Sequence, residues 1–145
     1  MNTFTGHNGI VWNIDYSIFD DCQFICSGSK DETICVWDVG NNKLFQSFHK
    51  HLGSVNCVKF SPYHYYKYRQ NVISSSSHDG TIRFWDFKDN QQLQIFKHSD
   101  HVGGIEFSQF TCGRYLCFGS YNNTINLLDV EIPKSLHVFN GHENY

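Results

Sequence analysis

Residues 74–86 read SSSSHDGTIRFWD, a polar run that ends at Asp79-Gly80 and continues as alternating apolar and polar residues. Glycine tolerates a positive φ, and an aspartate side chain can accept a hydrogen bond from its own backbone, so this pair is typical of a tight turn. The alternation of Ile82 and Phe84 with polar residues predicts a strand that buries one face. The stretch therefore predicts a strand, a turn and a second strand.

The same pattern occurs twice more in the chain. Residues 27–38 read SGSKDETICVWD, and residues 119–129 read GSYNNTINLLD, which keeps the pattern less fully. Self-similarity at a fixed spacing is the signature of a repeat architecture. Three copies indicate a repeat protein.

A histidine precedes each copy at a nearly constant distance. His7, His51, His98 and His142 are separated by 44, 47 and 44 residues. Apolar residues follow each of the first three histidines four, seven and nine places later, which predicts a first strand with a bulge near its start. These residues are Val11, Ile14 and Tyr16; Val55, Val58 and Phe60; and Val102, Ile105 and Phe107.

Each unit has room for three further strands. The second ends before the Asp or Asn turn, and the third runs from that turn to a Trp-Asp or Leu-Asp pair. Residues 61–70 lengthen the second unit, and we expect them to form a surface loop. Phe4 resembles the tail of another fourth strand, because fourth strands carry Phe45 and Phe48, Leu93 and Phe96, and Leu136 and Phe139.

The composition agrees with an all-β chain. Phe, Trp and Tyr make up 17% of the 145 residues, and with Val, Ile and Thr they favour strands. The formal net charge of −3 provides no overall basic field that would attract nucleic acid. The six cysteines contain no CxxC pair, so we expect reduced thiols, packed as small hydrophobic residues, in a cytoplasmic or nuclear protein. We expect no contact with a membrane, because no apolar run reaches the roughly 20 residues of a spanning helix.

The pattern resembles the WD40 repeat. Gly6-His7 and Gly141-His142 match the glycine-histidine signature of that family, and Trp37-Asp38 and Trp85-Asp86 match its tryptophan-aspartate signature. The resemblance implies a β-propeller, in which each unit is one four-stranded blade around a central channel.

The repeats predicted from this resemblance span approximately residues 4–48, 49–96 and 97–139, with the start of a fourth at 140–145. Three blades form only a partial ring, and propellers of this family commonly have seven. We therefore expect a fragment of a longer propeller, with self-association or completion of a partner's ring as alternatives. In each case the open blade faces are expected to be covered.

The resemblance also implies a chain of hydrogen bonds across each blade, which joins the opening histidine, a serine, the turn aspartate and the tryptophan. A buried donor left without a partner costs about 1–3 kcal/mol. The third unit has Phe118, Asn122 and Leu128 at three of the matching positions, so we expect it to be less stable. The complete sets are His7, Ser27, Asp31 and Trp37, and His51, Ser75, Asp79 and Trp85.

Partner contacts in the family commonly come from the face that carries the histidine and aspartate loops. The matching positions lie three and five residues after each histidine and one residue before each turn Asp or Asn. Trp and Tyr beside Lys and His are typical of binding hot spots. The positions are Ile10, Trp12 and Lys30; Ser54, Asn56 and His78; and His101, Gly103 and Tyr121.

Other functions have weaker support. A Ser, His and Asp set resembles a hydrolase triad, but it occurs twice at the repeat period, and an enzyme needs one nucleophile. The pairs His49/His51 and His98/His101 lack the spacing of a zinc site, so no metal or other cofactor is expected. Residues 63–69 combine tyrosines with cations that could contact RNA. We expect a non-catalytic scaffold for protein assembly, with an RNA-contacting subunit of a ribonucleoprotein as the alternative.

Overall fold

The computed structural model describes residues 3–132 and 134–141. The described residues form three four-stranded sheets, in which strands that follow one another in sequence pair antiparallel. The predicted all-β architecture of three four-stranded units is confirmed. The first sheet contains β1 (Val11–Phe19), β2 (Cys22–Ser29), β3 (Ile34–Asp38) and β4 (Lys43–Phe48); the second contains β5 (Val55–Phe60), β6 (Val72–Ser77), β7 (Thr81–Asp86) and β8 (Gln91–Lys97); the third contains β9 (Val102–Phe107), β10 (Tyr115–Ser120), β11 (Thr124–Asp129) and β12 (Lys134–Asn140).

The Asp-Gly turn connects β6 and β7 as predicted. Gly80 has a φ of 76°, a left-handed conformation that glycine adopts at little cost. Glu32 and Asn123 occupy the same place in the other two sheets, with φ values of 69° and 65°. The backbone of this turn is therefore repeated even where the glycine is not.

A bulge near the start of each first strand is also confirmed. The register shifts between Val11 and Asn13 in β1 and between Val55 and Cys57 in β5. The β9–β10 pair shows the same irregularity. One extra residue allows apolar side chains three positions apart to point to the same face of the sheet.

The three sheets pack face to face around two apolar cores. One core lies between the first and second sheets and the other between the second and third. Trp85 is fully buried, and its ring lies 4.8 Å from that of Phe48 in the preceding sheet. Asn13 Oδ1 and Asp15 Oδ2 accept hydrogen bonds from the backbone N–H groups of Val58 (3.0 Å) and Phe60 (2.9 Å). Polar side chains of β1, the first strand of the first sheet, thus hydrogen-bond to the backbone of β5, the first strand of the second sheet.

The prediction of a loop at residues 61–70 is wrong, because this segment contains the helix α1 (Pro62–Tyr68). Tyr63 and His64 are the buried side chains of this helix, and His64 Nδ1 lies 2.8 Å from Ser61 Oγ. Burial lowers the pKa of His64 to about 4, so this side chain is neutral at physiological pH. Packing of Tyr63 in the second core and of His64 against Phe84 therefore orders the insertion.

Other expectations need correction. Phe4 does not lie in a strand; its ring packs on Trp37, with a centroid distance of 5.5 Å. All six cysteines carry free thiols, but only half of them pack inside: Cys26, Cys35 and Cys57 are buried, and Cys22, Cys112 and Cys117 are exposed. His142 and the rest of the fourth repeat after Gly141 lie outside the described residues. Within the described ranges, no helix has the length and apolar character needed to cross a membrane.

Candidate interaction site

The second sheet contains a continuous chain of hydrogen bonds. His51 Nδ1 lies 2.7 Å from Asp79 Oδ2, and His51 Nε2 lies 2.8 Å from Ser75 Oγ. Trp85 Nε1 donates to the same serine oxygen at 2.8 Å. Because the indole N–H can only donate, Ser75 accepts it and donates its own proton to His51, whose other N–H then faces the carboxylate.

The first sheet has the same chain. His7 Nδ1 lies 3.2 Å from Asp31 Oδ2, and His7 Nε2 lies 2.7 Å from Ser27 Oγ, which accepts the Trp37 N–H at 2.8 Å. Burial by itself raises the pKa of the Asp31 carboxyl, but hydrogen bonds from Thr33 and from the backbone outweigh it and lower this pKa to about 2. The carboxylate is therefore held in its charged form.

Each of these two hydrogen-bond chains also includes a threonine that the sequence analysis did not predict. Thr81 donates to Asp79 Oδ1 through its hydroxyl (2.6 Å) and its backbone N–H (2.9 Å). Thr33 does the same to Asp31 at 2.5 and 3.0 Å. A threonine two residues after the turn Asp or Asn occurs in all three copies, so the signal was present in the sequence.

The connectivity of serine, histidine and aspartate is that of a hydrolase triad, but its environment is different. Ser75 is fully buried, and its oxygen already accepts the Trp85 N–H. A nucleophile must reach a substrate and give up its proton as it attacks. In the second sheet this arrangement links strands and keeps the serine oxygen away from solvent.

The third sheet keeps only part of the chain. His98 Nε2 lies 3.0 Å from Ser120 Oγ, because Phe118 replaces the serine that faces the histidine in the other sheets. The Nδ2 atom of Asn122 lies 3.5 Å from the same histidine nitrogen. Burial lowers the pKa of His98 and favours its neutral form. The role of Ser120 was also missed.

Six of the predicted contact residues lie together around one open groove of about 470 Å³. The groove draws on all three sheets, and Gly104 completes its lining. Ile10 and Lys30 lie outside it, where the Lys30 N–H donates to Ile10 O at 2.8 Å. The lining residues are Trp12, Ser54, Asn56, His78, Gly103, Gly104 and Tyr121.

Contacts across the sheets hold the groove side chains in place. Trp12 Nε1 donates to Ser54 Oγ at 2.9 Å, and Asn56 Nδ2 donates to Val102 O at 2.7 Å. Trp12 nevertheless remains 52% exposed. The indole is oriented by a hydrogen bond while its ring stays available.

The other end of the groove is a cluster of three rings. His78 and His101 stack with a centroid distance of 4.9 Å and an angle of 21°. His101 Nδ1 also contacts His78 O, and His78 Nε2 lies 3.2 Å from Tyr121 Oη. Tyr121 is 57% exposed. His101, an exposed residue beside the groove lining, therefore supports the His78 ring.

A sequence profile decides the family. The profile of the family described as WD domain, G-beta repeat matches residues 1–38 and 42–86. This chain belongs to the WD40 family. The three sheets are WD40 blades, called blades 1 to 3 below, and blade 3 has the blade fold although the profile does not extend to it.

Known WD40 proteins of several kinds are similar to this chain. A coronin-like protein of Saccharomyces cerevisiae is 32% identical over 145 residues, which cover 90% of this chain and 21% of that protein. A guanine nucleotide-binding protein subunit beta of Arabidopsis thaliana is 34% identical, with 86% and 33% covered. The small ribosomal subunit protein RACK1 of Drosophila melanogaster is 28% identical, with 90% and 38% covered. The chain thus spans between about a fifth and two fifths of the length of these relatives.

The cations proposed to contact RNA are engaged by the protein itself. Lys67 Nζ contacts Glu131 Oε1 and donates to Tyr63 Oη at 2.9 Å. Arg69 lies over the Tyr65 ring, 5.5 Å from its centroid. Two tyrosines of the segment, Tyr66 and Tyr68, are exposed. Aromatic surface is thus available at α1, but the Lys67 charge is already paired.

Blade 3 is expected to open first. Its chain of hydrogen bonds lacks a tryptophan and an aspartate, so amides of β10 and β11 should exchange through an opening that costs about 1–3 kcal/mol less than the opening of β6 and β7. Hydrogen exchange measured by mass spectrometry on peptides of each blade gives the comparison. Equal protection of β10 and β6 would contradict the expectation.

Proposed function

We propose that this chain is a non-catalytic, intracellular scaffold that binds partner proteins in the groove formed by the three blades. The observation that carries the proposal is the groove itself, in which half-exposed Trp12 and Tyr121 stand at the two ends of one surface. Tyrosine and tryptophan are the residue types most often found at the energetic centres of protein interfaces.

The rigidity of the groove supports binding. The Trp12 indole is fixed by Ser54, and the His78 ring is fixed between His101 and Tyr121. Side chains that are already ordered lose less entropy when a partner arrives. Gly103 and Gly104 contribute no side chains, so a partner segment can approach the backbone between the aromatic ends.

Binding to the groove is testable with a peptide from a phage-displayed library of random linear sequences, selected on the immobilised chain. Trp12→Ala or Tyr121→Ala should each weaken the affinity of a synthetic selected peptide by about tenfold to a hundredfold, since hot-spot truncations cost on the order of 1.5–3 kcal/mol. Isothermal titration calorimetry measures the loss. Tyr66→Ala removes an exposed tyrosine from α1, away from the groove, and should leave the affinity unchanged.

Two outcomes would contradict the proposal. Peptides that bind wild type and both groove variants equally would place the binding surface elsewhere. Tight binding of a random-sequence single-stranded RNA, with an affinity that falls steeply with salt and is lost in Tyr66→Ala, would favour the ribonucleoprotein alternative.

A further inference from the structure

Neutral polar and aromatic side chains line the proposed binding groove. Among the described residues of this lining, none is Asp, Glu, Lys or Arg. Three are aromatic (Trp12, His78 and Tyr121), and the polar remainder is Ser54 and Asn56, beside two glycines. A charged partner segment would lose hydration in the groove and meet no fixed opposite charge. Charge complementarity therefore favours an uncharged segment with apolar side chains.

The strand beside the groove is poorly suited to pairing with a partner strand. β9 lies at the edge of its sheet, where an extended peptide can add as a further strand. Side chains of blade 2 already occupy its carbonyl groups at this point. Asn56 Nδ2 donates to Val102 O at 2.7 Å, and Ser76 Oγ donates to Gly103 O. A partner strand would have to compete with these hydrogen bonds.

The size of the groove disfavours a helical partner. An α-helix with its side chains is about 10–12 Å wide and rises about 5.4 Å per turn, so roughly one turn fills the groove volume of about 470 Å³. Recognition of a helix in a groove uses apolar anchors spread over about two turns. A groove of this size therefore accommodates too few of those anchors.

A segment in the polyproline II conformation meets these conditions better. It has no internal hydrogen bonds, so it needs neither a partner strand nor the width of an α-helix. Proline-rich segments of this kind dock in grooves lined by aromatic rings. Trp12 and Tyr121 offer such rings, because both side chains are about half-exposed. The Trp12 indole is held by its own N–H, which leaves the ring surface for packing.

The polar lining supplies hydrogen-bond donors for the carbonyl groups of such a segment. Asn56 uses one N–H on Val102 O, and no other described residue takes its second N–H. Ser54 Oγ accepts the Trp12 N–H and has its own proton to donate. Proline has a carbonyl group but no N–H, so a proline-rich segment needs more donors than acceptors from its site. Asn56 and Ser54 fit that need.

We propose that the partner segment of this groove is a proline-rich stretch in the polyproline II conformation. The inference rests on the proposed function, because it names the chemistry of the segment that the groove binds. Prolines three residues apart lie on one face of such a segment and pack on the aromatic rings, while the carbonyl groups accept from Ser54 and Asn56.

Isothermal titration calorimetry with two capped peptides tests the inference. One peptide is ten prolines long, and the other has ten residues of alternating glycine and serine. Wild type should bind the proline peptide at least about tenfold more tightly, because its preformed helix loses less entropy and its rings pack on Trp12. Equal binding of the two peptides would overturn the proline-rich partner.

Two changes at one position test the packing of proline on an aromatic ring. Trp12→Leu keeps an apolar side chain without a flat ring, so it should bind the proline peptide about tenfold more weakly than Trp12→Phe does. Tyr66→Ala, outside the groove, should bind like wild type. Circular dichroism should show the same sheet signal for all three variants. Equal affinities of the Leu and Phe variants would overturn the contact.

The phage-selected peptides separate this inference from the proposed function. Peptides that lose affinity in Trp12→Ala and carry prolines three residues apart support both. Peptides that lose affinity in Trp12→Ala but lack such prolines would overturn the proline-rich partner and leave the groove as the binding site. If no selected peptide depends on Trp12 or Tyr121, the proposed function fails as well.

Discussion

Trp85→Ala is expected to lower the free energy of unfolding by about 3–5 kcal/mol, the range for truncation of a fully buried aromatic residue. Trp85 lies between blades 1 and 2 against Phe48, so its removal opens a cavity at a blade junction. It also removes the N–H donor of Ser75. Urea unfolding followed by circular dichroism measures the loss.

The other tryptophans provide the controls. Trp12→Ala, at a half-exposed position, should cost about 1 kcal/mol or less. The loss of stability in Trp37→Ala should lie between these two values. Phe4 packs on Trp37, whereas the whole of blade 1 packs on Trp85. If Trp85→Ala costs no more than Trp12→Ala, the blade junction does not depend on this side chain.

Asp79→Asn is expected to lower the free energy of unfolding by on the order of 3 kcal/mol. The carboxylate accepts hydrogen bonds from His51, from the Leu52 N–H at 3.0 Å and from both donors of Thr81. Asparagine keeps one acceptor oxygen and turns an NH₂ group toward the remaining donors. Asp89→Asn, an exposed position after the next strand, should change stability by less than about 0.5 kcal/mol.

The pH dependence of stability provides a second readout for Asp79. Burial alone raises the pKa of this carboxyl, but the hydrogen bonds from His51 and Thr81 outweigh burial and hold the pKa well below its usual range. As the pH falls, Asp79 therefore binds a proton in the unfolded chain before it does so in the folded chain. The stability that Asp79 contributes is present above about pH 4 and is lost as the pH falls below it. Wild type should lose more stability between pH 5 and pH 3, roughly the range of carboxyl titration, than Asp79→Asn does. Parallel acid profiles would contradict this assignment.

The buried hydrogen bonds of Asp79 also determine where the groove residue His78 lies. His78 directly precedes Asp79, so its side chain extends from a turn that the buried hydrogen bonds of blade 2 fix. The His78 N–H donates to Ser54 O, which ties the turn to the loop that supports Trp12. A change at Asp79 is therefore expected to disturb binding as well as stability.

Local patterns in the sequence determined the strands, the turns and the number of sheets. The alternation of Ile82 and Phe84 and the turn at Asp79-Gly80 depend on neighbouring residues alone, and the repeat period then fixed the same structure three times. Thr33 and Thr81 carried a signal of the same kind, at a constant distance from the turn.

Only the tertiary structure decided how the remaining residues are used. The helix at Pro62–Tyr68 forms because Tyr63 and His64 find a buried place against the sheet, which no periodicity over seven residues reveals. His101, a predicted contact residue, stacks on His78, and Ser120 replaces the serine missing at position 118. Each of these outcomes depends on contacts between residues far apart in the chain, whereas the strands and turns were determined by residues close together.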